Sequence, residues 1–533
     1  MKNSIKKLIS IIAAALSVTT LCLVTACGGG SGNSAGNGES KGSESAAPST
    51  GRTLKIKAVQ LGYGTKWLDA IAKEWENKTG NKVEITATVG TSGNDGIANE
   101  IQSHASEQDI FLYRTADYAK RVYEGEIKAG GKTYPNVFMD ITDVCKKELD
   151  GEGGATIDSK INDDMRNLYT IDGKYYGLPW IEGAMGIMRN KDVWESCGLT
   201  DADIPLTTDQ LFAVSDKIKA KGKTPFIYSG EDEYYSSFMG VWFMQYESEE
   251  NIKNYFEGKD PTGVYSQNLF TYQGHIEMLN VLEKLVKKTN GYQYDNDLAF
   301  TDMQGYFLLG QAALCVNGAW IEIEMGGEYK DSRIDYIKTP VISALANELS
   351  FGSESAANKE AKLVELIKYV DGTITEKPSY ATDADVARVR KARKCNYVAQ
   401  GSSHALVGSS LSKNPDLVKS FIEYMYSDKG LDCYYRTTNG ASLPFNLSPN
   451  GKYSDIAISD FQKEVNKIKK DEIVVFASNA KMYSLGGVNF KLFNGVSGFI
   501  NGFYKGDLTA QQVINSNSNY MKDNWARISQ NIK

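Results

Sequence analysis

Hydrophobic and polar positions first alternate and then stripe along the early part of the chain. Leu54, Ile56 and Ala58 alternate with Lys55 and Lys57, and the run passes Val59 to end at Gly62 and Gly64, as a strand entering a turn does. Trp67, Ile71 and Trp75 then recur at helical spacing beside Leu68 and Ala72, and Thr79 and Gly80 stop the stripe. Val83, Ile85, Ala87 and Val89 predict a second strand, Ile97, Ile101 and Ala105 a second helix, and Asp109 to Tyr113 a short third strand. Strand, helix, strand, helix, strand is the order of a doubly wound α/β layer with a parallel sheet. Ligands of such sheets bind beyond the carboxyl ends of the strands, which places a site at the turns around Tyr63, Gly90 to Asn94 and Arg114 to Asp117.

Composition narrows the class. At 533 residues the chain exceeds what one core supports. With 41% hydrophobic residues, 31 Tyr, 19 Phe and 7 Trp it is not disordered in bulk and has aromatic faces to spare for a site. A formal charge of −7 argues against nucleic acid as a partner, since phosphate readers cluster cations. Beyond Cys22 and Cys27 the five remaining cysteines are scattered without C-x-x-C spacing, which argues against a disulfide framework or a zinc site.

The N-terminus reads as an export signal. Lys2, Lys6 and Lys7 precede an uncharged stretch from Leu8 to Val24, shorter than the roughly 20 residues that span a bilayer. Leu23 to Cys27, with small residues before the cysteine, resemble a bacterial lipobox. That resemblance implies cleavage of residues 1–26, diacylation of Cys27 (the palmitate class of anchor), and attachment to the outer face of the membrane, in a Gram-positive bacterium. Cleavage removes three Lys and no acid, taking the formal charge from −7 to −10. Residues 28–50, mostly Gly, Ser and Asn, form a tether with a reach of roughly 25 Å.

Further along, Ile171 to Trp180 (IDGKYYGLPW), followed by Arg189-Asn190-Lys191, is similar to the hinge-strand segment of the bacterial extracellular solute-binding proteins of the carbohydrate class, family 1. Gly310 to Ala313 with Asn317 to Trp320, the Pro-started helix after Asn414, and Tyr435 to Pro444 resemble later family elements, in family order. The resemblance implies an α/β fold of two interleaved doubly wound lobes, of the periplasmic-binding-protein type, with a cleft and hinge between them. Lobe 1 is expected at 51–180 plus 317–438 and lobe 2 at 181–316 plus 439–533, with crossings near Trp180, Asn317 and Asn439. A departure from the family at about 341–399, with helices at Ala361–Val370 and Ala384–Lys394, reads as an inserted, solvated excursion. The alternative is that its basic helix docks to a permease. The implied function is capture of a sugar, with a tilt to oligosaccharides, by hinge closure, and delivery as a monomer to an ABC permease. It needs no catalysis and no cofactor.

Sugar rings need aromatic planes and hydrogen-bonding side chains. Trp180 and Glu182 at the hinge, Asn317 and Trp320 at the second crossing, Tyr63 and Trp67 after the first strand, and Arg114 with Asp117 after the third are the candidates. For Trp180, Trp320 and above all Trp67, core packing is the competing reading. The family resemblance adds Tyr235, chosen over Glu233 and Tyr234, and Phe493. Enzyme motifs fail on context: Gly32 to Gly36 fits G-x-S-x-G but lies in the tether, and Gly125 to Thr133 has one residue too many for a P-loop. His104, His275 and His404 lack metal spacing, and Asp295 with Asp297 lacks the Gly of a calcium loop. Paired carboxylates among Glu182, Glu233, Glu322 and Glu324 keep a surface glycoside hydrolase open, and a glycan-binding adhesin or a binder of peptides or polyamines stays open beside it. Replacing Cys27 by Ser is expected to abolish incorporation of labelled palmitate and to release the protein from membranes, which phase partitioning of labelled cells would measure.

Overall fold

The computed structural model describes residues 51–532 except 115–116, 231–233, 288, 292–297, 327–331, 400–403, 472, 475–477, 491, 493 and 497. Cys27, with the rest of residues 1–50, lies outside the described residues, as do Glu233, Asp295, Asp297 and Phe493. The strands that build the two main sheets are, in chain order, β1 (Thr53–Gln60), β2 (Lys82–Val89), β3 (Ile110–Arg114), β4 (Leu178–Pro179), β5 (Ala184–Asn190), β6 (Phe226–Ile227), β7 (Leu314–Gly318), β8 (Ile334–Tyr336), β9 (Tyr397–Ala399), β10 (His404–Gly408) and β11 (Ile473–Val474).

The first sheet has the order β2-β1-β3-β10-β4. The β1, β2 and β3 pairings are parallel, as the strand-helix alternation predicts; β10 and β4 are added antiparallel. The helix Lys66–Thr79 lays Trp67, Leu68, Ile71, Ala72 and Trp75 into the core, and Gly80 ends it in the left-handed conformation. Helix Gly90–Ser103 begins seven residues before Ile97, so the expected Gly90 to Asn94 turn is its first turn.

The second sheet runs β6-β7-β5-β9-β11, with β8 also on β5. Central β5 is buried at all seven positions. It pairs antiparallel with β7 along one edge and with β8 and β9 along the other. The sheets correct the expected lobe boundaries. The chain passes from the first sheet to the second between Pro179 and Ala184, but it does not return at Asn317: β7, β8 and β9 all belong to the second sheet. The return falls between Ala399 and His404. The third crossing lies between Ser454, whose N–H donates to Asp432 at 2.6 Å, and Ser459, whose hydroxyl donates to Glu322 at 2.6 Å, rather than at Asn439. Beyond it, the Asn479 amide donates back to the Asn167 carbonyl at 2.9 Å, tying the C-terminal segment to the first lobe.

The 341–399 segment is not a wet excursion. Its helices, Ala356–Val370 and Asp383–Lys394, start at Ser355 and Thr382, whose hydroxyls accept from Asn358 and Asp385 N–H. Arg390 and Lys394 are exposed, but Arg388 donates to the Tyr246 and Glu247 carbonyls and Lys391 to those of Met244 and Glu247. They meet the negative C-terminal end of helix Gly240–Tyr246. Burial pulls the Lys391 ammonium down to about 8. Arg393 is buried on Asp371 at 2.6 Å. The five described cysteines are buried and free, and no helix among the described residues is long and apolar enough to cross a membrane.

His275, on helix Gln273–Val286, is buried with its ring stacked on Phe243 at 4.5 Å and Tyr255 edge-on at 4.7 Å. Burial holds its pKa down to about 3. Below about pH 6.5 the unfolded chain takes up a proton that the folded chain refuses, so stability falls by about 1.4 kcal/mol per pH unit until the folded histidine titrates. Urea melts from pH 7 to pH 4 should show this slope in the wild type and its loss in His275→Phe.

Candidate functional site

The carboxyl ends of the first sheet face the second lobe across a cavity of about 450 Å³. Gln60, Leu61 and Gly62 reach it from the end of β1, Val89 from the end of β2, Thr91 and Asn94 from the helix that follows, Arg114 from β3 and His404 from β10. Ile181 enters from the first crossing, and Tyr234, Phe300, Thr301, Trp320 and Glu324 from the second lobe.

Local structure explains these placements. Asn94 acts as a side-chain bridge to the end of β3: its amide donates to the Arg114 carbonyl at 2.9 Å and its oxygen accepts the Arg114 N–H at 2.7 Å. The clamp leaves the Arg114 side chain exposed at the cavity. His404 stands opposite Arg114 in the register of β10 on β3. On the other wall the rings step edge to face, Trp320 to Tyr234 at 6.2 Å and 84°, then Tyr234 to Phe300 at 4.8 Å and 61°, favourable aromatic geometry. Glu324 is held from behind. The buried Gln304 amide donates to its carboxylate at 2.9 Å and to Asn317 Oδ1 at 3.3 Å, and Asn317 Oδ1 also accepts the Gly318 N–H at 2.7 Å.

Of the ten ligand-contact residues expected from sequence, Arg114 and Trp320 line the cavity. Phe493 lies outside the described residues, and the other seven lie elsewhere. Trp180 is 2% exposed, stacked on Trp67 at 5.9 Å and 22°, with its indole N–H donating to the Tyr113 carbonyl at 3.4 Å. Trp67 in turn packs on Tyr434 at 5.0 Å and donates to the Gly64 carbonyl at 2.9 Å. These rings form a floor beneath the cavity rather than its wall, which is the core-packing reading for both tryptophans. Tyr63 and Glu182 are buried, and burial, with the charges of Glu182 and Glu324 adding to it, pushes the Tyr63 hydroxyl far up, so it stays a neutral donor. Asp117 pairs with Arg121 at 2.9 Å. Asn317 is fully buried and acts through Gln304. Tyr235 is buried, its hydroxyl donating to the Ile227 carbonyl at 3.2 Å, and the adjacent Tyr234 faces the cavity instead.

Sequence reading missed Tyr234, Phe300, Glu324 and His404 as cavity residues. His404 carries a signal only once β10 is paired with β3, since the sequence shows a lone histidine. Glu322, weighed as a carboxylate beside Glu324, points away to Ser459.

Two α/β lobes linked by crossing segments, with an aromatic and charged cavity between them, define a two-lobed binding protein of the periplasmic-binding type. The chain belongs to the bacterial extracellular solute-binding protein family, whose model matches residues 61–431. It is 26% identical over 314 residues to the maltodextrin-binding protein MdxE of Bacillus subtilis, covering 57% of this chain and 59% of that protein. It is 26% identical over 224 residues to the diacetylchitobiose binding protein DasA of Streptomyces coelicolor, covering 41% and 44%. The chain thus spans less than two thirds of either relative. Among solved structures, an ABC substrate-binding protein of Listeria monocytogenes in complex with cycloalternan superposes with a TM-score of 0.56 at 13% identity, over 89% of this chain and 99% of the other.

Trp180→Ala is expected to cost about 3–5 kcal/mol of stability in a denaturant melt, the range for emptying a buried aromatic site. Tyr234→Ala, at the half-buried cavity wall, should cost clearly less in the same melt.

Proposed function

We propose that this protein is a membrane-anchored receptor that captures an oligosaccharide in the cavity between its lobes and delivers it to an ABC import permease. The observation that carries this is the Trp320, Tyr234 and Phe300 wall facing Arg114, His404 and Glu324 across about 450 Å³. Aromatic faces suit the C–H faces of sugar rings, and a cation, a carboxylate and an imidazole suit hydroxyls taken out of water. The curated relatives bind maltodextrin and diacetylchitobiose, and the Listeria structure holds cycloalternan, all oligosaccharides.

In this reading the ligand is gripped by Arg114 and His404 from the first lobe and by Trp320, Tyr234, Phe300, Thr301 and Glu324 from the second. Trp67, Trp180 and Tyr63 hold the floor, and Gln304 with Asn317 orients the Glu324 carboxylate. Closure is favoured by contacts that exist only when both lobes touch the sugar, and the permease reads the closed form. Lipid on Cys27 anchors the protein at the extracellular face of a Gram-positive membrane, with residues 28–50 as a tether, and the receptor works as a monomer.

A thermal-shift screen with maltotriose, diacetylchitobiose, other mono- and oligosaccharides, peptides and polyamines tests the proposal. A ligand at 100 times its Kd should add about 2.7 kcal/mol of stability. The expected outcome is a shift with an oligosaccharide that is recovered unhydrolysed, and loss of that shift in Tyr234→Ala and Glu324→Gln. A response to peptide or polyamine alone overturns the carbohydrate assignment, and a degraded sugar overturns the receptor reading in favour of a hydrolase.

A further inference from the structure

Three glycines distant in sequence share one neighbour. A Cβ on Gly62 would stand 2.6 Å from Trp320 Cδ1, one on Gly183 2.8 Å from Trp320 Cε3, and one on Gly318 2.0 Å from Trp320 Cη2. Side-chain carbons do not approach so closely, so the indole occupies a slot that exists only because these residues lack a side chain. None of the three has the left-handed backbone that calls for glycine at Gly64, Gly80 or Gly90. Space is the requirement here, not turn geometry.

The slot joins separate parts of the fold. Gly62 follows β1 of the first sheet, Gly183 lies in the crossing between β4 and β5, and Gly318 ends β7 of the second sheet, two residues before Trp320. Gly62 meets the pyrrole side of the indole; Gly183 and Gly318 meet the benzo side. We infer that the three glycines position the Trp320 ring as a fixed wall of the cavity and set how closely the lobes approach at its base. The wall's role toward cargo rests on the proposed function; the lobe spacing does not.

Other cavity groups follow the ring. Tyr234 is edge-on to Trp320 and Phe300 to Tyr234. The Trp320 carbonyl accepts the Glu324 N–H at 2.9 Å, fixing the turn that carries the carboxylate. A methyl group at position 62 has no space to enter, and Gly183 and Gly318 close the routes by which the ring could give way. The strain of such overpacking, set between a residue of the first lobe and a ring of the second, is relieved by moving one lobe away from the other.

Small-angle scattering of the purified protein without sugar tests the inference. Gly62→Ala is expected to raise the radius of gyration above that of the wild type. Gly96→Ala, on an open face of helix Gly90–Ser103, should leave it unchanged. Trp320→Ala in the Gly62→Ala background removes the clashing ring and should return the scattering to that of Trp320→Ala alone. A role confined to general stability does not give this suppression, and thermal melts of all four variants verify folding. Scattering of Gly62→Ala identical to the wild type, or an expansion that Trp320→Ala does not relieve, overturns the inference. Because no sugar is present, failure here is distinguishable from failure of the carbohydrate reading.

Discussion

Strand β5 is buried along its whole length, and none of its peptide groups can turn to water for a partner. That requirement organises the molecule. One edge is satisfied by β7; the other is shared, the half near Asn190 by β8 and the half near Ala184 by β9. Those partners come from chain that arrives long after β5 and returns to the first sheet only after β9. The interleaving of the lobes is therefore the route by which one buried strand completes its hydrogen bonds, and the cavity is the space left where the two sheets end face to face.

Aromatic residues divide between floor and wall. Trp67, Trp180 and Tyr434 pack together below the cavity and connect the first helix, the first crossing and the helix Asp428–Thr437. Trp320, Tyr234 and Phe300 form the wall. A floor built from three segments gives the crossing a rigid base, and rigid support is what keeps a binding wall in place.

The doubly wound first lobe was legible because its alternation and helix stripes are long and undisturbed from Leu54 to Tyr113. Arg114 was legible for the same reason, as the residue where a buried strand ends. Trp180 was not, because β4 is two residues long and period-two reasoning cannot say which face a residue takes in so short a strand. The same limit separates Tyr234 from Tyr235: adjacent residues on a helix point apart, and only tertiary packing decides which meets the cavity. The family resemblance implied a crossing at Asn317, whereas Asn317 and Gly318 are both paired residues of β7. The basic helix read as a wet face because Arg388 and Lys391 are met by backbone carbonyls at the C-terminal end of helix Gly240–Tyr246, which leave no charge in the sequence to match.

The buried free thiols give the protein an internal clock. Burial pushes the thiols of Cys145 and Cys433, in the first lobe, and of Cys315 and Cys395, in the second, away from the reactive thiolate. An oxidant reaches them only when the surrounding structure opens, so the rate at which each thiol reacts reports how readily its own lobe opens. Damage to this protein in an oxidising medium thereby follows its breathing as well as the abundance of the oxidant.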